Sequence, residues 1–74
     1  MRTYLKELRK KAGFTQQELA NKLFVSQNYY SSIEKGERQE DMNLSLILNL
    51  SKVLEVPVEL IIKEEKNNLQ KPTG

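Results

Sequence analysis

The chemistry open to this sequence is bounded first by what it lacks. Among its 74 residues there is no histidine and no cysteine. That removes the commonest general base, the commonest metal ligand, and every thiolate or disulfide. Carboxylates cluster once, in the run Glu37-Arg38-Gln39-Glu40-Asp41. They are consecutive in what reads as a loop, so a solvated acidic link is expected there, with no metal, no cofactor and no enzymatic activity. The remaining polar chemistry is concentrated in Gln27, Asn28, Tyr29, Ser31 and Ser32. The amides of Gln27 and Asn28 can give and take a hydrogen bond together, and Tyr29 adds a hydroxyl and a ring face.

Two helices must hold these side chains. Thr15-Gln16-Gln17-Glu18 is a capping box, in which the Thr15 hydroxyl accepts from the N–H three residues on and Glu18 reaches back. Phe14 and Leu19 flank it as a hydrophobic staple. The same grammar repeats at Ser26, an N-cap with Val25 before it and Tyr30 after it. Two helix starts so close together leave room only for a short helix and a tight connection, which is a helix-turn-helix pattern. Leu19, Ala20 and Leu23 form the apolar face of the first helix, and Tyr30 and Ile33 that of the second. Gly36 closes the second helix, where a left-handed residue is favourable.

Around this pair the chain allows one domain, near the lower size limit for a core without staples. Tyr4, Leu5, Leu8 and Ala12 recur at helical spacing up to Gly13, with Lys6, Lys10 and Lys11 opposite. No apolar run approaches the roughly 18 residues needed to span a bilayer, and no signal-peptide pattern opens the chain, so a soluble cytoplasmic protein is expected. The net charge of +2 is uneven: residues 1–36 carry seven basic and three acidic side chains, and residues 37–74 carry five and seven. The half with the helix pair is the basic one, which suits a polyanionic partner.

The run LKELRKKAGFTQQELANKLFVSQNYYSSIEKGER, followed by LILNLSKVLEVPVELI, resembles the Cro/repressor-type helix-turn-helix domain, the XRE family. The likeness covers residues 1 to 62. It implies an all-α, five-helix, lambda-repressor-like DNA-binding domain with helices 2 and 3 as the helix-turn-helix. The sequence departs from the family at Phe24, where the turn usually has Gly, and at Tyr30, usually a smaller Ile or Val. Its link after Gly36 is also longer and more acidic than usual.

The resemblance implies that the second helix of the pair enters the major groove. Base contacts then fall to Gln27, Asn28, Tyr29 and Ser32. The two amides match adenine N6 and N7, and the absence of Arg from this helix favours A·T-containing contacts with shape readout. Phosphate contacts fall to Thr15, Gln16 and Gln17 at a helix N-terminus, and to Lys35 and Arg38 beyond the recognition helix. Arg9 and Glu34 are implied as a structural ion pair.

Asn43 is placed to cap a fourth helix, in which Leu44, Ile47, Leu50 and Leu54 form the stripe that closes the core. Leu46 and Val53 lie off that stripe. With Val58, Leu60, Ile61 and Ile62 after Pro57, they make more apolar surface than so small a domain readily hides. These six residues are the expected homodimer interface, and a dimer would meet a palindromic double-stranded operator with half-sites roughly 34 Å apart. The domain is expected over residues 1–63 and a polar, flexible tail over 64–74, though Lys63 to Lys66 could prolong the last helix. With no second domain expected, control would act through concentration, a partner protein or competition for sites. A dimeric repressor is the leading reading. A restriction–modification controller acting as activator or repressor is the close variant, and an antitoxin working through a protein partner is the alternative from another class.

Overall fold

Each helix begins and ends on a local signal. The computed structural model describes residues 1–69, with α1 at Thr3–Lys11, α2 at Gln16–Lys22, α3 at Gln27–Lys35, α4 at Leu44–Leu54 and α5 at Val58–Leu69. No strand occurs among the described residues, so the fold is the all-α, five-helix arrangement expected. The capping box is formed: Glu18 N–H donates to Thr15 Oγ1 at 3.1 Å and Thr15 N–H to Glu18 Oε1 at 2.8 Å. Ser26 Oγ accepts from Tyr29 N–H at 3.1 Å to start α3, and Asn43 Oδ1 accepts from Leu46 N–H at 2.8 Å to start α4. Gly36, at φ +82°, ends α3 in the left-handed region. The α2–α3 turn keeps a left-handed residue, and it is Phe24, at φ +61°.

Helix α2 packs on α3, α4 on α5, and α1 on α3. Ala20 is fully buried, the small residue that lets α2 and α3 approach. Leu5, Leu19, Tyr30, Ile33, Leu50 and Ile61 complete the sealed core, with Leu23, Ile47 and Leu54 at its margin. Each such aliphatic side chain contributes roughly 1.5–3 kcal/mol by leaving water.

Several expectations are corrected. Ile61 is 0% exposed, a core residue with no surface to give to a second copy. Its neighbour Ile62 is 42% exposed. Leu46, Val53 and Val58 are half-buried against the core, and Leu60 is half-buried. Leu44, expected in the core stripe, is instead 65% exposed, because it sits in the first turn beside the solvated cap. The boundary expected at residue 63 also moves, since α5 continues to Leu69 and Glu65 is buried. The end of the expected tail, residues 70–74, lies outside the described residues.

Candidate nucleic-acid interface

Helix α3 is fixed on its inward side by one buried carboxylate. Glu34 Oε2 accepts from Arg9 Nε at 2.7 Å and from the Tyr30 hydroxyl at 2.6 Å, while Oε1 accepts from Gln16 Nε2 at 3.0 Å. Arg9 Nη1 donates to the Phe14 carbonyl at 2.9 Å, tying α1 to the entrance of α2. Burial pushes the Glu34 carboxyl upward, but the donors from Arg9, Tyr30 and Gln16 outweigh it, and the group titrates below its ordinary range. The bond to Glu34 raises the Arg9 guanidinium further. Burial, then the Glu34 contact, drives the Tyr30 hydroxyl well above its ordinary value. The aromatic that replaces a smaller aliphatic is thus core, with its polar end satisfied inside.

On the other side of α3, Gln27 and Asn28 are exposed in the first turn. Among the described residues neither side chain has a hydrogen-bond partner. Asn28, Ser32 and Lys35 share one strip at i, i+4 and i+7. Ser32 is half-buried and its hydroxyl donates to the Asn28 carbonyl at 3.0 Å, which leaves it only acceptor capacity outward. Tyr29 is half-buried and its hydroxyl accepts from Gln39 Nε2 at 2.9 Å. Lys35 and Arg38 are exposed beyond these residues. The Arg38 backbone is pinned, its N–H donating to the Ser32 carbonyl at 3.3 Å and its carbonyl accepting from Arg2 Nη1 at 3.1 Å.

The three residues at the start of α2 differ among themselves. Gln17 is exposed and its amide donates to Asn21 Oδ1 at 3.1 Å. The Thr15 hydroxyl serves the capping box, and Gln16 turns its amide inward to Glu34. The Gln16 side chain therefore supports α3, while its backbone stays at the open start of α2.

Arg2 carries no helical or motif signal in the sequence. It is fully buried. Its Nε and Nη2 donate to Glu65 at 2.7 and 3.0 Å, and its Nη1 donates to the Ile33 carbonyl at 2.7 Å. Nη2 also reaches the Gln39 carbonyl, and the Arg2 N–H donates to the Glu34 carbonyl at 2.8 Å. One guanidinium therefore ties α5 to the end of α3 and to the link. Glu65 left a faint trace in the sequence: it lies one turn beyond Ile61, on the face that turns inward. Tyr4 donates to the same carboxylate, and burial raises its hydroxyl above the ordinary value.

Elsewhere an open groove of about 420 Å³ is lined by Phe14, Lys22, Phe24, Asn49, Val53 and Glu55, among others. Among the described residues no group of His, Cys, Asp or Glu is arranged to hold a metal ion, and no helix is long and apolar enough to cross a membrane.

A family model described as helix-turn-helix matches residues 5–61. Among curated proteins, an uncharacterized HTH-type transcriptional regulator, YqaE of Bacillus subtilis (strain 168), is 35% identical over 63 residues, 85% of this chain and 53% of its own length. The HTH-type transcriptional regulator ImmR of the same organism is 36% identical over 62 residues, 84% of this chain and 47% of its own. The HTH-type transcriptional regulator SinR of Bacillus licheniformis is 34% identical over 61 residues, 82% of this chain and 54% of its own. The chain thus spans about half the length of the curated relatives it matches. No solved structure matches at a significant level.

Proposed function

The chain belongs to the XRE-type helix-turn-helix family, and we propose that it is a sequence-specific double-stranded DNA-binding transcriptional regulator, acting in the cytoplasm as a dimeric repressor. The observation that carries the reading is the pair of exposed amides, Gln27 and Asn28, in the first turn of a helix held rigid by the Glu34 cluster. Bidentate amides suit adenine in the major groove, and buried bonds fix the backbone of the helix that carries them, so only the two side chains remain to be ordered on binding. Tyr29 and Ser32 flank them as further base contacts. Lys35, Arg38 and the N-terminus of α2 at Thr15, Gln16 and Gln17 are the proposed phosphate contacts.

A homodimer on a palindromic operator remains the proposed assembly. The apolar side chains with most to gain from it are Leu44, 65% exposed, Leu48, 49% exposed, and Ile62, with the half-buried Leu46, Val53, Val58 and Leu60 beneath. One observation favours a protein partner as well: Phe24 is 95% exposed at an open groove that it shares with Phe14 and Val53, as an antitoxin would require. Selection from random duplexes at physiological salt, with sizing of the free protein, tests the proposal. A palindromic motif bound by a dimer is expected. No preference for any duplex over heparin would overturn it.

A further inference from the structure

Gln39 settles which way the Tyr29 hydroxyl faces. Its side-chain Oε1 accepts from the Asn43 backbone N–H at 3.1 Å. That N–H can only donate, so the amide atom facing it must be oxygen, which removes the usual ambiguity between the two ends of the amide. The opposite end, Nε2, therefore faces Tyr29, at 2.9 Å from its hydroxyl oxygen. An amide nitrogen has no lone pair to offer, so it donates and the phenol oxygen accepts. The one phenolic proton is left over, and no acceptor among the described residues takes it.

The backbone of Gln39 is held in place for this task. It sits in the left-handed region at φ +56°, which costs an L-residue roughly 1 kcal/mol, and its carbonyl is gripped by the buried Arg2. A glycine would take that conformation without strain but could not bridge α3 to the cap of α4. Here a glutamine bears the strain and joins Tyr29 to Asn43.

We infer that Tyr29 meets DNA as a hydrogen-bond donor, aimed at a base-edge acceptor (purine N7, guanine O6 or thymine O4), and that Gln39 is the positioning residue that makes it so. The inference rests on the proposed base-reading role of α3 and specifies its chemistry. Cytosine N4 and adenine N6 are donors and cannot satisfy a donating hydroxyl.

The experiment uses the duplex obtained by selection with the wild-type chain. It is rebuilt one base at a time with analogues lacking an acceptor, 7-deazapurines for N7 and bases without O6 or O4. Wild-type affinity is expected to drop roughly five- to tenfold at one position, the scale of a single hydrogen bond. Tyr29→Phe should bind the parent duplex weaker by the same factor and be indifferent to that analogue. Gln39→Glu should also be indifferent, because its carboxylate accepts the hydrogen bond that the Tyr29 hydroxyl would otherwise donate to the base. Its added charge lowers all binding alike, so the ratio of cognate to random affinity is read. Thermal melts report the fold of each variant, and the comparison of wild type with Tyr29→Phe stands without any change at residue 39. Tyr29→Phe keeping the analogue's effect, or losing affinity equally on cognate and random DNA, would overturn the inference while leaving base reading intact. Absence of any preferred duplex would overturn both.

Discussion

The guanidinium of Arg2 and the carboxylate of Glu65 meet at 2.7 Å although they stand at opposite ends of the described chain, and both are buried. The pair closes the domain, fastening α5 to the carbonyls where α3 ends. Removing one partner strands a buried charge, which costs about 3–5 kcal/mol. Arg2→Ala and Glu65→Ala are each expected to lower stability in urea unfolding by that amount. The double variant Arg2→Met with Glu65→Leu should recover much of the loss, since two apolar groups leave no charge unpaired. A double variant as unstable as the sum of its parts would show that the carbonyl contacts of Arg2, and not the ion pair, carry the effect.

The Glu34 cluster gives stability a defined pH dependence. Because the folded-state carboxyl titrates below its ordinary value of 4.5, the unfolded chain takes up the proton first as pH falls. The contribution is complete above that value and is lost as pH drops through the lower folded-state value. Tyr30 has the opposite sign: its hydroxyl is raised above the ordinary 10.0, so its contribution is whole below that value and fades as pH climbs beyond it. Urea midpoints measured across pH should therefore fall at both ends. Glu34→Gln should be weaker near neutrality and flatter on the acid side. Tyr30→Phe should flatten part of the alkaline side, Tyr4 supplying the rest. An acid limb as steep in Glu34→Gln as in the wild type would remove Glu34 as its source.

What was legible in the sequence follows from the range of each interaction. Thr15 with Glu18, Ser26 with Tyr29, and Asn43 with Leu46 are contacts within one helical turn, so residue type and spacing identify them. The inward faces of α2 and α3 follow from periodicity in the same way. Arg9 with Glu34 came through family resemblance, because no local rule joins residues that far apart. Arg2 with Glu65 had neither aid, so the helix that runs on through Leu69 was not legible: KEEK looks solvated until a buried arginine is known to face it. Leu44 and Ile61 were misplaced for different reasons. Leu44 keeps the periodicity of the stripe but lies in the first turn, beside the solvated cap, and apolar character alone does not say which of the adjacent Ile61 and Ile62 turns inward. In the candidate site, the amides of Gln27 and Asn28 were legible as exposed chemistry, whereas the inward turn of Gln16 and the bridge through Gln39 depend on tertiary contacts.

Phe24 occupies the left-handed turn at φ +61° and is almost wholly exposed. A residue with a Cβ is strained there by roughly 1–2 kcal/mol, and the exposed ring recovers little by packing. Phe24→Gly relieves the strain but loosens the unfolded chain, an opposing effect of about 0.4–1 kcal/mol. The net expectation is a gain of about 0.5–1 kcal/mol in urea unfolding. Phe24→Asn should gain a similar amount, because asparagine tolerates this conformation. Loss of stability in both variants would mean that the ring is packed in solution, for instance against a second copy.

Gln27 and Arg38 should separate base reading from phosphate attraction. Gln27 is exposed on the first turn of α3, with an amide able to make two hydrogen bonds at once. Gln27→Ala should cost about 1–3 kcal/mol on the selected duplex and relax preference at one position. It should leave affinity for random DNA nearly unchanged. Arg38 is exposed just beyond α3, with its backbone held from both sides by Ser32 and Arg2. A charge so placed can neutralise one phosphate and release its counterion. Arg38→Ala should weaken binding to all sequences alike and flatten the slope of log affinity against log salt by about 0.9. Titrations of both variants over a range of salt, on cognate and random duplexes, give the comparison. Equal losses on the two duplexes for Gln27→Ala would contradict its reading of a base, and an unchanged slope for Arg38→Ala would move that side chain off the phosphates.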